Sequence, residues 1–269
     1  MGAQLSLAIP TYNEEKNIRI ALDSAYDMAD EVVIVDGGSS DKTVEVAKSY
    51  GEKVKVFHVD NPPNFLKNKQ RAIEYATGDW ILQLDADEAV SPELRKELEQ
   101  LLQEENPAFA GYNIPRKNWF LSRYLMKGGV YPDFVTRLYR RDKAHFELRD
   151  VHENVIIDGD VGQTKEAILH YADPDFERYL TRWNRYTTFD AGLVLKKKRR
   201  LSFMDGIEFI VIKPLHWFLL TYIRHRGYAD GFPGFVFSLF SSIRFWAIYI
   251  KAWQTLQKGD PGIPSIKQP

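Results

Sequence analysis

Trp80-Ile81-Leu82-Gln83-Leu84-Asp85-Ala86-Asp87-Glu88 joins an apolar run to two carboxylates spaced i and i+2. The run has the length of a buried strand, so the acidic residues fall where that strand meets solvent. Carboxylates so spaced can converge on one hard cation such as Mg2+ or Mn2+, which takes oxygen ligands and bridges to phosphate. An isolated Asp-x-Asp also occurs in solvated turns, and the other strand ends decide between the two. Leu5 to Ile9 reads as a strand running into Pro10-Thr11-Tyr12-Asn13-Glu14-Glu15. Val32 to Val35 ends in Asp36-Gly37-Gly38-Ser39-Ser40-Asp41, and Val54 to Val59 ends at Asp60. Open α/β sheets bind ligands at the carboxyl ends of their parallel strands, so these polar groups should share one crevice.

Helical patterns separate the strands. Ile18, Ala21, Leu22 and Ala25 share one face, with Asn13 as the expected cap. Val44, Val46 and Ala47 follow Asp41 or Ser40 and stop near Gly51, and a third helix is expected at about residues 67–76. Ser91 before Pro92 marks an N-cap, with Leu94, Leu98, Leu101 and Leu102 as the buried stripe. Alternating strands and helices predict an α/β fold with a Rossmann-like, mostly parallel central sheet. From residue 106 to residue 172 the runs shorten, to Phe109–Ile114, Val135–Tyr139 and Asn154–Ile157, broken by Gly, Pro and Asp. These predict strands and loops that extend the sheet.

After Asp173-Pro174 the chain turns helical, with Phe176, Tyr179, Leu180 and Trp183 on one face. Lys196-Lys197-Lys198-Arg199-Arg200 then precedes two apolar stretches, Ile207 to Ile223 and Phe232 to Ile250. Between Lys196 and Lys251, ten Lys or Arg oppose three Asp or Glu. Each stretch approaches the roughly 20 residues that cross a bilayer, but Glu208, Lys213, Pro214 and His216 interrupt the first and Arg244 the second. Cations beside Trp217, Tyr222, Trp246, Tyr249 and Trp253 suit helices lying in the interface on anionic lipid. A membrane-associated helical region is therefore expected at residues 173–269, with a spanning hairpin or a soluble helical subdomain as the alternatives.

A hydrophobic content of 44% in 269 residues supplies a substantial core, and a net charge of −1 gives no argument for a nucleic-acid partner. The sequence has no cysteine, which removes disulfides, thiolate metal sites and a cysteine nucleophile together. No positively charged segment with an apolar run precedes the first strand, so a cytoplasmic catalytic part is expected.

Four motifs together resemble the family 2 glycosyltransferases of the GT-A fold, which use a nucleotide-sugar donor. They are Ile9-Pro10-Thr11-Tyr12-Asn13-Glu14-Glu15, Val35-Asp36-Gly37-Gly38-Ser39-Ser40-Asp41, Asn68-Lys69-Gln70-Arg71-Ala72 and Leu84-Asp85-Ala86-Asp87-Glu88. They span residues 1–105, which makes this the nucleotide-sugar half of a catalytic domain at residues 1–172, with an acceptor half at residues 106–172. Gly128-Gly129-Val130-Tyr131-Pro132-Asp133, Arg137-Leu138 and Val151-His152-Glu153 resemble the bacterial subgroup that glucosylates the lipopolysaccharide inner core.

The resemblance implies that Pro10, Thr11, Asn13, Glu14 and Asp36 line a nucleoside pocket, with Lys69 and Arg71 near the base or phosphates. Asp36 can accept from an imide N–H, which uracil has and adenine lacks, so a UDP-sugar donor is expected. Asp87 is the implied ligand of a divalent metal, Mn2+ or Mg2+. Asp85 joins it directly or through ribose and water, and His152, ahead of His170, completes the shell. Glu88 is either a partner of these groups or a helix-entry charge. The base of an inverting transfer is expected at Glu153, with Asp133 next; the family's more common acidic pair is not recognisable. Arg137, Arg140 and Arg141 suit an acceptor phosphate or the surface, and Trp119, Phe120 and Tyr124 a sugar ring or the core. The activity implied is transfer of a hexose, glucose from UDP-glucose, to a lipopolysaccharide inner-core or other lipid-linked acceptor. Its place would be the cytoplasmic face of the inner membrane, peripheral or monotopic, against an anionic lipid surface. A polyprenyl-phosphate glycosyltransferase and a non-catalytic, membrane-docked nucleotide-binding scaffold are the competing readings.

Overall fold

The computed structural model describes residues 3–62, 64–104, 107–148, 153–198 and 200–258. Strands and helices alternate first: β1 (Leu5–Thr11), α1 (Ile18–Ala25), β2 (Glu31–Asp36), α2 (Thr43–Lys48), β3 (Val54–His58), α3 (Leu66–Tyr75), β4 (Trp80–Gln83), β5 (Glu88–Val90) and α4 (Pro92–Leu101). Strands then dominate: β6 (Gly111–Phe120), β7 (Arg123–Tyr124), β8 (Asp133–Arg140), β9 (Ala144–His145), β10 (Ile156–Ile157), β11 (Val161–Gln163) and β12 (Ile168–Asp173). Three long helices follow, α5 (Phe176–Lys197), α6 (Phe203–Arg224) and α7 (Gly231–Gln257). The chain divides into two compact units, residues 1–117 with 133–171, and residues 118–132 with 172–268. The segment 118–132 thus groups with the helices and not with the rest of residues 106–172.

The main sheet runs β3-β2-β1-β4-β8-β6-β12-β5, an α/β arrangement. Strands β3, β2, β1 and β4 are parallel, as the helical crossovers between them require. The expectation of a mostly parallel sheet fails beyond β4: β8 runs antiparallel to both β4 and β6, and β12 antiparallel to β5. The sheet is mixed because, among the described residues, no crossover α-helix lies between residues 111 and 173, so most neighbouring strands there return in the opposite direction.

Strand periodicity sorts the core of the first unit. Leu5, Leu7 and Ile9 of β1, with Val32 and Ile34 of β2, meet Ile18, Ala21, Leu22, Leu94 and Leu98 from α1 and α4. The alternate residues, Ala8, Val33 and Val35, meet Leu66, Ala72 and Ile73 of α3. Ser91 caps α4 as expected, accepting from the Leu94 N–H at 3.1 Å. Asn13 does not cap α1: the helix begins after Asn17, and Asn13 sits at φ 56°, a left-handed position that asparagine tolerates.

In the second unit Phe120 is buried against Tyr179 with ring centroids 4.8 Å apart, and Trp119 packs on Tyr124 at 5.1 Å. Phe120 takes the core role, while Trp119 and Tyr124 are half-buried. Lys251 of α7 donates to the Asn184 carbonyl and the Thr187 hydroxyl of α5, each at 2.7 Å. Asp230 accepts from the Met126 and Lys127 N–H groups at 2.9 and 2.7 Å, which ties segment 118–132 to the start of α7.

One buried carboxylate clamps the parallel strands. Glu31 accepts from the Ser6 hydroxyl at 2.6 Å, the Lys55 ammonium at 2.7 Å and the Thr77 N–H at 2.5 Å. Burial alone would raise its pKa, but these donors outweigh burial and hold it at about 2, below the ordinary 4.5. A depressed carboxyl contributes stability above its unfolded pKa and loses it as pH falls through the folded one. Glu31→Gln is therefore expected to lower the urea midpoint at pH 7, with the deficit shrinking between pH 4.5 and about 2. A deficit that does not change over that window would show that the charge on Glu31 is not what stabilises the strands.

Candidate active site

The loops after β1 and β2 are laced together at the carboxyl edge of the parallel strands, where Thr11 pairs with Asp36. The Asn13 N–H donates to Ser39 Oγ at 2.9 Å, and Asn13 Oδ1 accepts from the Ser40 N–H at 2.8 Å. The Glu14 N–H donates to Thr43 Oγ1 at 2.7 Å, and the Glu15 carboxylate accepts from the Lys42 N–H at 3.0 Å. Asp36 is buried and accepts long hydrogen bonds, 3.2 to 3.3 Å, from the Gly38 and Ser39 N–H groups. Pro10 precedes Thr11 at the same edge, and Thr11 Oγ1 is buried with no hydrogen-bond partner among the described residues.

Helix α3 supplies the basic residues. Arg71 pairs with Asp60 at 2.6 Å and donates to Asn68 Oδ1 at 2.9 Å, so it orders the loop after β3. Lys69 is buried and reaches Asp85 at 2.7 Å. Burial and the neighbouring Arg137 charge push the Lys69 ammonium below its ordinary pKa, against the pull of Asp85 and Glu88.

The turn between β4 and β5 carries the acidic residues. Glu88 has a side chain with 0% exposure and sits between two guanidinium groups, Arg137 at 2.8 Å and Arg116 at 3.0 Å. Burial would raise its carboxyl, and Arg137 and Arg116 outweigh that and hold it ionised. The Glu88 carboxylate also accepts from the Asp85 N–H at 3.0 Å, which closes the turn. Asp85 is partly exposed, at 32%, and its two oxygens are engaged by Lys69 and Arg137. Arg116 extends the network to Asp133 at 2.7 Å, its register partner across β6 and β8.

Asp87 takes a separate partner. His170 of β12 places Nε2 3.6 Å from the Asp87 carboxylate, and the Tyr171 N–H donates to the Asp87 carbonyl at 2.9 Å. Burial, with Arg116 nearby, pushes His170 down to about 4, so its imidazole is neutral at pH 7. Asp87 with a neutral imidazole is a donor set that suits a divalent ion, whereas Asp85 is committed to two cations. No group of three or more His, Asp or Glu converges on one point among the described residues.

The structure thus brings together Asp85, Asp87, Lys69 and Asp133 from the sequence expectations, gives Glu88 the partner role that was one of its two readings, and frames them with Arg116 and Arg137. The expected histidine, His152, lies outside the described residues, and His170 is the one that meets Asp87. Glu153 is half-buried in the segment leading to β10. Arg137 faces neither an acceptor phosphate nor the surface: it is buried beneath the acidic turn. The missed signal was strand parity, since Asp133 and Arg137 share a face of β8 and Arg116 stands in register with Asp133. Arg137→Leu removes one of the two guanidinium groups of Glu88, and a loss of roughly 3–5 kcal/mol in urea unfolding is expected. Adding Glu88→Gln to the same chain should recover part of that loss; an unchanged midpoint in the single variant would overturn this account.

The profile of "Glycosyl transferase family 2" matches residues 6–158. An uncharacterized glycosyltransferase of Rickettsia felis is 31% identical over 257 residues, covering 90% of this chain and 87% of the relative. The lipopolysaccharide core biosynthesis glycosyltransferase LpsC of Rhizobium meliloti is 28% identical over 260 residues, covering 93% and 92% of the two chains. Among solved structures, S. aureus TarS 1-349 aligns with a TM-score of 0.45 and 18% identity over 95% of this chain and 90% of that one. With the profile covering more than half of its length, and a relative above 30% identity spanned almost throughout, the chain belongs to glycosyltransferase family 2.

Proposed function

We propose that this glycosyltransferase moves a hexose, glucose from UDP-glucose, onto a saccharide of the lipopolysaccharide inner core, with inversion. The observation that carries the reading is the pairing of Asp87 with a neutral His170 beside an Asp85 already neutralised by Lys69 and Arg137. The likeness to LpsC along nearly the whole of both chains supports the acceptor class.

The nucleoside lies against Pro10, Thr11, Asn13 and Glu14. The buried Thr11 hydroxyl gains a partner there, and Asp36, whose loop contacts are long, accepts the uracil imide proton. Arg71 orders the neighbouring wall, and Lys69 meets the diphosphate. Asp87 and His170 hold Mn2+ or Mg2+, with Asp85 contributing through ribose or water; protein carboxylates plus substrate phosphates are the usual complement for such ions. An ion held there would offset charge on the departing diphosphate. The acceptor hydroxyl oxygen bonds to the anomeric carbon as the bond from that carbon to the β-phosphate oxygen breaks, and UDP leaves. Glu153 takes the hydroxyl proton. Asp133 is the second choice of base, because the Arg116 ion pair engages its carboxylate. A lipid-linked acceptor places the work at the cytoplasmic face of the inner membrane, with the apolar C-terminal helices on the lipid surface.

Calorimetric titration of UDP, GDP, CDP and ADP with Mn2+ and with chelator tests the donor site. Metal-dependent binding selective for UDP is expected, lost in Asp87→Ala, whereas equal binding of ADP or no binding at all would sink the uridine pocket. Glu153→Gln should lower turnover of UDP-glucose by roughly 10²–10⁴-fold and leave UDP binding near normal. Full activity in that variant, with loss in Asp133→Asn, would move the base to Asp133. Sugar transfer to a short polyprenyl phosphate in place of a core saccharide would change the acceptor class.

A further inference from the structure

Helix α6 has an apolar face with a period of four, not 3.6. Phe203, Val211, Leu215, Leu219 and Ile223 are 81, 55, 57, 49 and 53% exposed, and the half-buried Ile207 fills the remaining step. The opposite face keeps the same period, with Asp205, Phe209 and Thr221 buried and Lys213 and Trp217 half-buried. In a pure α-helix a four-residue stripe drifts by about 40° per step and winds around the axis. Here two π turns, Glu208–Ile212 and Leu219–Arg224, flank the α turn Lys213–Phe218. A π turn holds more residues than an α turn and corrects the drift. The stripe therefore runs nearly straight for roughly 30 Å, at about 1.5 Å per residue.

Charge brackets this stripe. Lys196, Lys197, Lys198 and Arg200 stand exposed before it, and Arg224, His225 and Arg226 stand exposed after it. On α7, Trp246, Ile250 and Trp253 are also exposed, at helical spacing.

We infer that this face of α6 lies flat in the headgroup layer of an anionic bilayer, its leucine stripe in the acyl boundary and its basic ends on lipid phosphates. This deepens the membrane reading above and rests on it. Charge selects lipid over a second copy of the chain, because pairing two such stripes in either direction sets a basic end against a basic end. Packing selects an in-plane helix over a spanning one. The buried face already packs on α7, with Phe209 and Trp217 meeting Phe245 at 6.4 and 6.0 Å, and the stripe, with Met204 and Ile212 exposed beside it, is left for lipid. Amphipathic helices with basic and aromatic flanks bind membranes in this way.

The test is co-sedimentation of the full chain with phosphatidylglycerol-rich vesicles and with phosphatidylcholine vesicles. Binding to the anionic vesicles is expected, weakened by high salt and released by an alkaline carbonate wash. Leu215→Glu with Leu219→Glu should reduce the bound fraction at least about tenfold, or 1.4 kcal/mol, with circular dichroism and UDP binding unchanged. Equal binding of the double variant would overturn the assignment of this face. Resistance to carbonate would overturn the in-plane orientation, and a dimer seen by light scattering that the double variant dissolves would give the stripe to a second copy. UDP titration of the same samples is independent of lipid, so failure of the membrane reading and failure of the donor-site reading are separately visible.

Discussion

A carboxylate with no exposed surface, Glu88, is the constraint on which the acidic turn depends. Removing an ion from water costs several kcal/mol even after relaxation, and only close, hydrogen-bonded counter-charges offset it. Glu88 has two, Arg137 from β8 and Arg116 from β6. Because Asp85 and Asp87 lie within three residues of it, their positions follow from where Glu88 is anchored. The hydrogen bond from the Asp85 N–H to Glu88 converts that anchoring into a fixed turn.

The same network makes two chemically identical side chains unequal. Asp85, Asp87, Glu88 and Asp133 face Lys69, Arg116 and Arg137, while His170 is uncharged at neutral pH. Asp85 is engaged by Lys69 and Arg137, whereas Asp87 lies beside the His170 imidazole. That asymmetry of partners, not the Asp-x-Asp spacing, is what separates the surroundings of the two carboxylates. The Arg137 Nε atom is buried and unsatisfied among the described residues, which marks how far the fold goes to keep its cation beneath the turn.

The parallel half of the fold was legible because its signals are local. The period-two runs of β1 and β2, the stripe of α1 and the Ser91-Pro92 cap each lie within a dozen residues, and each formed as expected. The polar strand ends were legible for the same reason, since Thr11 and Asp36 follow directly from strand positions. The counter-charges were not. Arg116, Arg137 and His170 sit 28, 49 and 82 residues from Glu88, and only the pairing of β12 with β5 brings His170 opposite it. Asn13 failed as a cap on similar grounds: its side chain found Ser40, a partner 27 residues away, before it could serve the helix nearby.

The two halves of the sheet therefore divide the chemistry. The parallel strands end in loops of backbone N–H groups and small hydroxyls, Asn13, Ser39, Ser40 and Thr43, which hydrogen-bond one another and set the shape of a pocket. The antiparallel strands reach the acidic turn with side chains instead, the charged Arg116 and Arg137 from β6 and β8 and the neutral His170 imidazole from β12. A pocket wall built of backbone tolerates surface change but not a shift in strand register, since a one-residue slip would turn Arg116 and Arg137 to the opposite face. Register in β6 and β8 is in turn fixed by the buried Tyr112, Ile114, Leu138 and Tyr139 around them. Apolar packing of the late strands is thus what holds the electrostatics of a motif encoded far earlier in the chain.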